Sequence, residues 1–203
     1  MERVDATRAK EIEMRSFPGI SSFVLVGFVL GAAPLALAQS FEIRSPDIAQ
    51  GATLTRAQVY SGYGCKGGNL SPAILWTNVP PGTKSFAFTV FDPDAPTGHG
   101  WWHWLVIDIP ASATGLPRGA AKAAALPTGA RETKNDFDDV HFGGACPPEG
   151  DKPHRYEFTV HALQVERIDV PAGTESTTPP QTIEEKIRAN EIGSARITAR
   201  YGR

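Results

Sequence analysis

Phe91-Asp-Pro-Asp-Ala-Pro-Thr-Gly-His-Gly-Trp-Trp-His-Trp104 is the stretch of this chain whose reading decides its fold. It gathers two carboxylates, two prolines, two glycines, two histidines and three of the chain's four tryptophans. Proline fixes φ and glycine reaches backbone conformations closed to other residues, so the segment reads as a tight connection. Strands flank it. Ser85-Phe-Ala-Phe-Thr-Val-Phe91 precedes it and Trp102-His-Trp-Leu-Val-Ile-Asp-Ile109 follows, both rich in aromatic and β-branched residues. Side chains alternate faces along a strand, which groups His103 with Leu105, Ile107 and Ile109. A histidine opening an apolar face either bonds a backbone carbonyl within the core or lines a pocket.

A second stretch bears on that choice. Cys146-Pro-Pro-Glu-Gly-Asp-Lys-Pro-His-Arg-Tyr-Glu-Phe-Thr-Val-His-Ala-Leu163 also runs from a Pro/Gly turn into a strand. Alternation sets His154 and Tyr156 on one face with Phe158, Val160 and Ala162, and turns His161 outward with Arg155, Glu157 and Thr159. Two strands thus each open with a histidine. Side by side at one end of a sandwich, they would enclose a small cavity with Asp92, two imidazoles and a phenol.

Asp92-Pro-Asp-Ala-Pro96, Gly100-Trp-Trp-His-Trp104, Gly143-Gly-Ala-Cys-Pro-Pro148 and His154-Arg-Tyr156 resemble the signature segments of the phosphatidylethanolamine-binding protein family, closest to its bacterial Raf-kinase-inhibitor-like branch. The resemblance runs from about Phe41 to the C-terminus and includes Asn69-Leu-Ser-Pro72, Leu75-Trp76 and Val79-Pro-Pro-Gly-Thr-Lys-Ser85. It implies an antiparallel β-sandwich, mainly β, with small peripheral helices. It further implies that Asp92, Trp101, His103, Pro148, His154 and Tyr156 line a pocket for phosphate-like or carboxylate anions, phospholipid headgroups included. Some eukaryotic members of that family inhibit kinases or proteases. Where such proteins usually carry glycines, this chain has Asp138 and His141, and ligand preference is the property this touches.

Composition sets outer bounds. The 203 residues are 41% hydrophobic, enough chain for one sizeable core. A formal charge of −2 gives no basic field for nucleic acid. Seventeen prolines and twenty glycines suit many turns between short strands. Residues 1–38 read as an export signal: Arg15, an apolar run from Ile20 to Ala33, then Ala36-Leu-Ala38 before Gln39. Met14-Arg15 would make a conventional start. The competing reading is an uncleaved membrane anchor, against which Pro18 and Pro34 argue. Cleavage leaves 39–203 as one periplasmic or secreted domain without a transmembrane anchor.

Export gives meaning to the two cysteines, Cys65 and Cys146, both in glycine-rich loops. In an oxidising compartment such a pair bridges more often than it stays free, the alternative being two buried thiols. Closing a loop of roughly eighty residues stabilises by about 4 kcal/mol on the chain-entropy argument. Cys/His spacing for zinc is missing, and no cofactor motif is found.

Phe41-Glu-Ile43, Thr53-Leu-Thr55 and Ile74-Leu-Trp-Thr77 are short strand candidates, and Ser194–Tyr201 a final strand. Residues 110–135 read as a surface excursion with a helical turn around Ala120–Ala125. Thr182–Asn190 reads as a short helix with Thr182 and Glu185 as a capping box and Ile183 with Ile187 as its apolar face. Asn135-Asp-Phe-Asp-Asp-Val-His-Phe142 is a solvated acidic loop, or else Asp138, Asp139 and His141 alter the pocket rim. His99 is an exposed loop histidine.

The leading functional expectation is an exported, non-catalytic binder of small anions or phosphorylated headgroups. His103, His154, Tyr156 and N–H groups of the Gly143–Cys146 turn would donate, and Asp92 would orient a histidine and keep it cationic. A protein-interaction module engaging an extracytoplasmic partner is the alternative. A hydrolase using the Asp/His set, or a metal site from His103, His154 and Asp92, ranks behind both. No G-x-S-x-G, HExxH or P-loop supports catalysis.

Overall fold

Burial on both faces explains the strands at the centre of this molecule. In the computed structural model, which describes residues 39–121 and 125–203, nearly every residue from Ser85 to Ile109 that lies in a strand is buried. The export signal expected at 1–38 and residues 122–124 of the Ala120–Ala125 turn lie outside the described residues.

In chain order the elements are β1 (Glu42–Arg44), β2 (Ser61–Gly62), β3 (Cys65–Lys66), β4 (Ile74–Thr77), β5 (Ser85–Asp92) and β6 (Trp101–Pro110). They continue with β7 (Gly115–Leu116), β8 (Arg131–Thr133), β9 (His154–Leu163), α1 (Pro180–Asn190) and β10 (Glu191–Tyr201). Three antiparallel sheets result, ordered β1-β4-β7, β10-β9-β5-β6-β8 and β2-β3. The main core lies between the first two. Ile74, Trp76 and Leu116 meet Phe86, Phe88, Val90, Trp104, Val106, Phe158 and Val160 there. On the far side of the five-stranded sheet, Ala87, Trp102, Leu105, Ile107 and Leu163 pack under Ile183 and Ile187 of α1. Fully burying those two isoleucines contributes about 4 kcal/mol.

The phase of β6 departs from simple alternation. Val90 pairs with Trp104 and Phe91 with Trp102, so His103 stands opposite no residue of its own, as the extra residue of a β-bulge. A second irregularity falls between the Phe86↔Ile109 and Phe88↔Val106 pairs, where Asp108 has φ +57°. Consequently Leu105 and Ile107 face α1, whereas Ile109 joins Trp104 and Val106 in the inter-sheet core. His103 does not share a face with Leu105 and Ile107.

Three smaller expectations also change. The helix starts at Pro180, with Pro179 at its N-cap and no side-chain cap, so Thr182 and Glu185 form no capping box. Proline already has the φ that a first helical turn needs. The 110–135 excursion contributes β7, which pairs with β4, and β8, which pairs with Leu105–Ile107 of β6. Thr53-Leu-Thr55 makes only an isolated bridge, Thr53 to Arg200.

Candidate functional site

The Asp92-Pro-Asp94 turn divides its two carboxylates between two jobs. Asp92 Oδ1 accepts the Asp94 N–H at 2.9 Å and so closes the turn on itself. Its Oδ2 lies 2.7 Å from His154 Nδ1, both side chains almost wholly buried. Asp94 reaches the start of β9 instead, taking the Arg155 N–H at 2.8 Å and its guanidinium at 2.9 and 2.6 Å. Those bonds hold the Asp94 carboxyl down, to about 2. The turn therefore registers β9 against β5 and leaves Asp92 beside an imidazole. Gly100 then lets the chain enter β6: at φ +77°, a Cβ there would stand 2.2 Å from the Phe91 ring and 2.8 Å from the Asp92 carbonyl.

His103 is fixed by one residue at both ends of its own length. Its carbonyl accepts the Gly143 N–H at 2.9 Å, and its Nδ1–H donates to the Gly143 carbonyl at 2.7 Å. Burial drives this imidazole's pKa down, partly opposed by the Gly143 carbonyl and the Asp92 carboxylate. Nδ1 thus carries the proton. Nε2, which makes no hydrogen bond among the described residues, is left as an acceptor on a side chain that lines the cavity.

Tyr156, facing His103 edge-on with ring centroids 5.2 Å apart, supplies the third polar group. It is 1% exposed, and its hydroxyl has no hydrogen-bond partner among the described residues. Burial, with the Asp92 charge nearby, pushes the phenol's pKa up, so it remains a donor. The Cys146 amide lies close enough to act on it electrostatically without meeting hydrogen-bond geometry.

Around these groups lies a cavity of about 220 Å³. At about 30 Å³ per water that is roughly seven waters, below the roughly 300 Å³ at which drug-sized pockets begin. Asp92, Trp101, His103, Pro148, His154 and Tyr156 all line it. Cys146, at the end of the expected donor turn, lines it as well, and so do Tyr63 and Phe137, which the sequence does not mark for this wall. Phe137 packs edge-on against both Trp101 and His103, at centroid distances of 5.5 and 5.2 Å. Its signal in the sequence was an aromatic set between Asp136 and Asp138 in an acidic loop. A Cβ on Gly143 would stand 2.5 Å from its ring, which explains the glycine there.

The wall carrying Pro147 and Pro148 is held from two sides. Cys65 and Cys146 are joined, with Cα atoms 6.0 Å apart. Arg203 Nε donates to the Pro147 carbonyl at 2.6 Å. Asp151 Oδ2 approaches His154 Nε2 at 3.4 Å from the same loop.

Other candidates lie elsewhere or are already committed. Of the Gly143–Cys146 turn, three N–H groups are used internally, by His103, Asn69 and Gln58. Only Cys146 N–H lacks a partner among the described residues, so the turn is no general donor nest. Asp138 pairs with Lys134 at 2.9 Å, and Asp139 caps the next two amides. His141 binds Glu132 at 2.8 Å, away from the cavity lining, so the departure at this loop leaves the rim to Phe137. Asp92 meets His154, while burial lowers the pKa of His103, so His103 is no fixed cation at the pocket floor. Among the described residues no cluster of three or more His, Cys, Asp or Glu is placed to hold a metal ion.

The fold and this cavity define a member of the phosphatidylethanolamine-binding proteins. That family's model matches residues 44–202, and the chain belongs to it. Within it, the chain is similar to the UPF0098 protein YbcL of Escherichia coli, 51% identical over 168 residues covering 82% of this chain and 90% of YbcL. The crystal structure of YbcL superposes with a TM-score of 0.77 at 50% identity, covering 81% of this chain and 99% of that one. YbhB of the same organism is 44% identical across 77% of this chain and 97% of its own. LppC of Mycobacterium tuberculosis, named as a lipoprotein, is 30% identical across 83% of this chain and 75% of its own.

Proposed function

We propose that this chain is a non-catalytic binding protein for a small oxyanion, phosphate-like or carboxylate, acting outside the cytoplasm. One observation carries the reading: the Tyr156 hydroxyl is a buried donor without a partner among the described residues, on a side chain that lines a cavity of about 220 Å³. Leaving such a group unpaired costs about 1–3 kcal/mol, which a bound oxygen acceptor would recover. His103 and Cys146, with Nε2 and a backbone N–H free of partners among the described residues, line the same space. Aromatic and proline walls exclude water and strengthen whatever polar contacts form there.

Three observations support a site of action outside the cytoplasm. The Cys65–Cys146 bond suits an oxidising compartment. LppC, a relative, is named as a lipoprotein. Residues 1–38 have the pattern of a cleavable leader. Among the described residues, no helix is long and apolar enough to cross a membrane.

A protein-interaction role is favoured by one feature, Tyr63, which is 70% exposed at the cavity rim. A partner covering the rim would bury that ring over the oxyanion site.

Thermal denaturation with phosphate, phosphoethanolamine and acetate tests the main reading. Ligand at 100 times its Kd stabilises by about 2.7 kcal/mol, or roughly 5–10 °C for a chain of this size. The shift is expected in wild type and absent in Tyr156→Phe. No shift with any of the three, or equal shifts in both proteins, would overturn it.

A further inference from the structure

The polarity of the cavity floor specifies more than negative charge. No lysine or arginine lines the cavity among the described residues. Its lining acid, Asp92, lies 2.7 Å from His154 Nδ1. Asp151 approaches His154 from the other side. His103 faces Asp92, His154 and Tyr156, and its Nδ1–H is committed to the Gly143 carbonyl. The floor therefore presents two kinds of unmatched group among the described residues: the donors Tyr156 O–H and Cys146 N–H, and one acceptor, His103 Nε2.

A fully ionised oxyanion can satisfy the first of these and not the second. Its oxygens all accept, so one of them would confront the Nε2 lone pair. It would also bring its whole charge to a floor lined by no lysine or arginine, where desolvation is costly. An oxyanion that still bears a hydroxyl satisfies both, accepting from Tyr156 and donating to His103. Sites built around a specific hydroxyl reject analogues lacking it far more strongly than apolar pockets discriminate shape.

We propose that this pocket selects oxyanions that carry their own proton: free hydrogen phosphate, and phosphomonoesters in their singly ionised form. Phosphodiesters, the linkage of intact phospholipid headgroups, lack that proton and are disfavoured. The inference rests on the oxyanion reading above and sharpens it to a ligand class. His103 is the specificity-determining residue and Tyr156 the common anchor.

Calorimetric titration of the full chain at matched ionic strength separates the two claims. The probes are inorganic phosphate, methyl phosphate, dimethyl phosphate and sulfate. At pH 8 phosphate and sulfate carry closely similar charge and size, while only phosphate keeps a proton. Phosphate is expected to bind at least tenfold more tightly than sulfate or dimethyl phosphate. Methyl phosphate, whose second ionisation lies near pH 6, should be weak at pH 8 and approach phosphate at pH 5.5. His103→Ala should lower phosphate affinity toward that of sulfate, and Tyr156→Phe should weaken every probe. Sulfate or dimethyl phosphate binding within twofold of phosphate at pH 8, with Tyr156→Phe still weakening both, would overturn the proton selection and leave the oxyanion site standing. Failure of all four probes to bind would overturn both.

Discussion

The five-stranded sheet carries a histidine cluster on each face, and the two clusters end in opposite states. On the outer face His161 sits between Thr89 Oγ1, 2.9 Å from Nε2, and Glu191 Oε2, 2.5 Å from Nδ1. Arg196 beside it binds Thr159 at 3.0 Å and Glu157 at 2.5 Å. Every one of these polar groups has found a partner within the fold. On the inner face His103 has one nitrogen engaged, and the Tyr156 hydroxyl has none of its hydrogen bonds made. Residue types alone do not separate the two clusters. What separates them is unmet hydrogen-bonding capacity, because a buried group without a partner lowers its free energy by taking a ligand and a satisfied one does not.

The sharpest ways to break this contrast act on the inner wall. Replacing Cys65 and Cys146 by serine should cost about 4 kcal/mol, since the bond spans 81 residues, read as a lower urea midpoint. A change below about 1 kcal/mol would mean that the wall is held by Arg203 and packing alone. Asp92→Ala comes next. It strands His154 without its buried partner, and the expected loss is about 3 kcal/mol in the same assay.

On the outer face, His161→Ala leaves Thr89 and Glu191 unpaired and should cost about 2 kcal/mol. Phosphate binding should stay unchanged, and a weakened titration would erase the distinction between the faces. Tyr156→Phe should do the reverse. It removes an unpartnered hydroxyl, so stability should hold or rise by about 1 kcal/mol while phosphate binding is lost. A destabilised Tyr156→Phe would show that the hydroxyl is already satisfied.

Acidification gives the smallest effect. Burial lowers the His103 pKa in the folded state, so between about pH 6.5, the unfolded value, and that lower value the unfolded chain binds more protons. His103 neutral therefore contributes stability that is complete above about pH 6.5 and is lost as pH falls through this window. Urea midpoints from pH 8 to pH 5 should fall more steeply for wild type than for His103→Gln. Parallel curves would indicate that His103 titrates as it does in the unfolded chain.

Much of this was legible in the sequence, for identifiable reasons. β5, β6 and β9 announce themselves by aromatic and β-branched runs between Pro/Gly turns, and β9 keeps strict alternation because its outer face is polar: Arg155, Glu157, Thr159 and His161. The six residues Asp92, Trp101, His103, Pro148, His154 and Tyr156 occupy strand beginnings and turns, and the hairpin geometry brings them to one cavity. The phase of β6 was illegible. From Trp102 to Ile109 both faces are buried, so no polar–apolar alternation sets the phase, and the two polar residues, His103 and Asp108, sit at the irregularities themselves. β7 and β8 were hidden for a different reason, since strands of two and three residues owe their conformation to β4 and β6 and not to local propensity. Phe137 reached the pocket through the bonds of Asn135 Nδ2 to the His141 and His103 carbonyls, a tertiary arrangement without a periodic trace.

The bulge at His103 has a consequence for how the cavity is built into the sheet. Trp102 faces α1 and Trp104 faces the inter-sheet core, so the two would alternate correctly if they were neighbours. A single-codon deletion of His103 would leave a regular hairpin with every tryptophan on its present side. The chemistry of the cavity therefore rides on one supernumerary residue, whose carbonyl also ties β6 to Gly143 and Asn135.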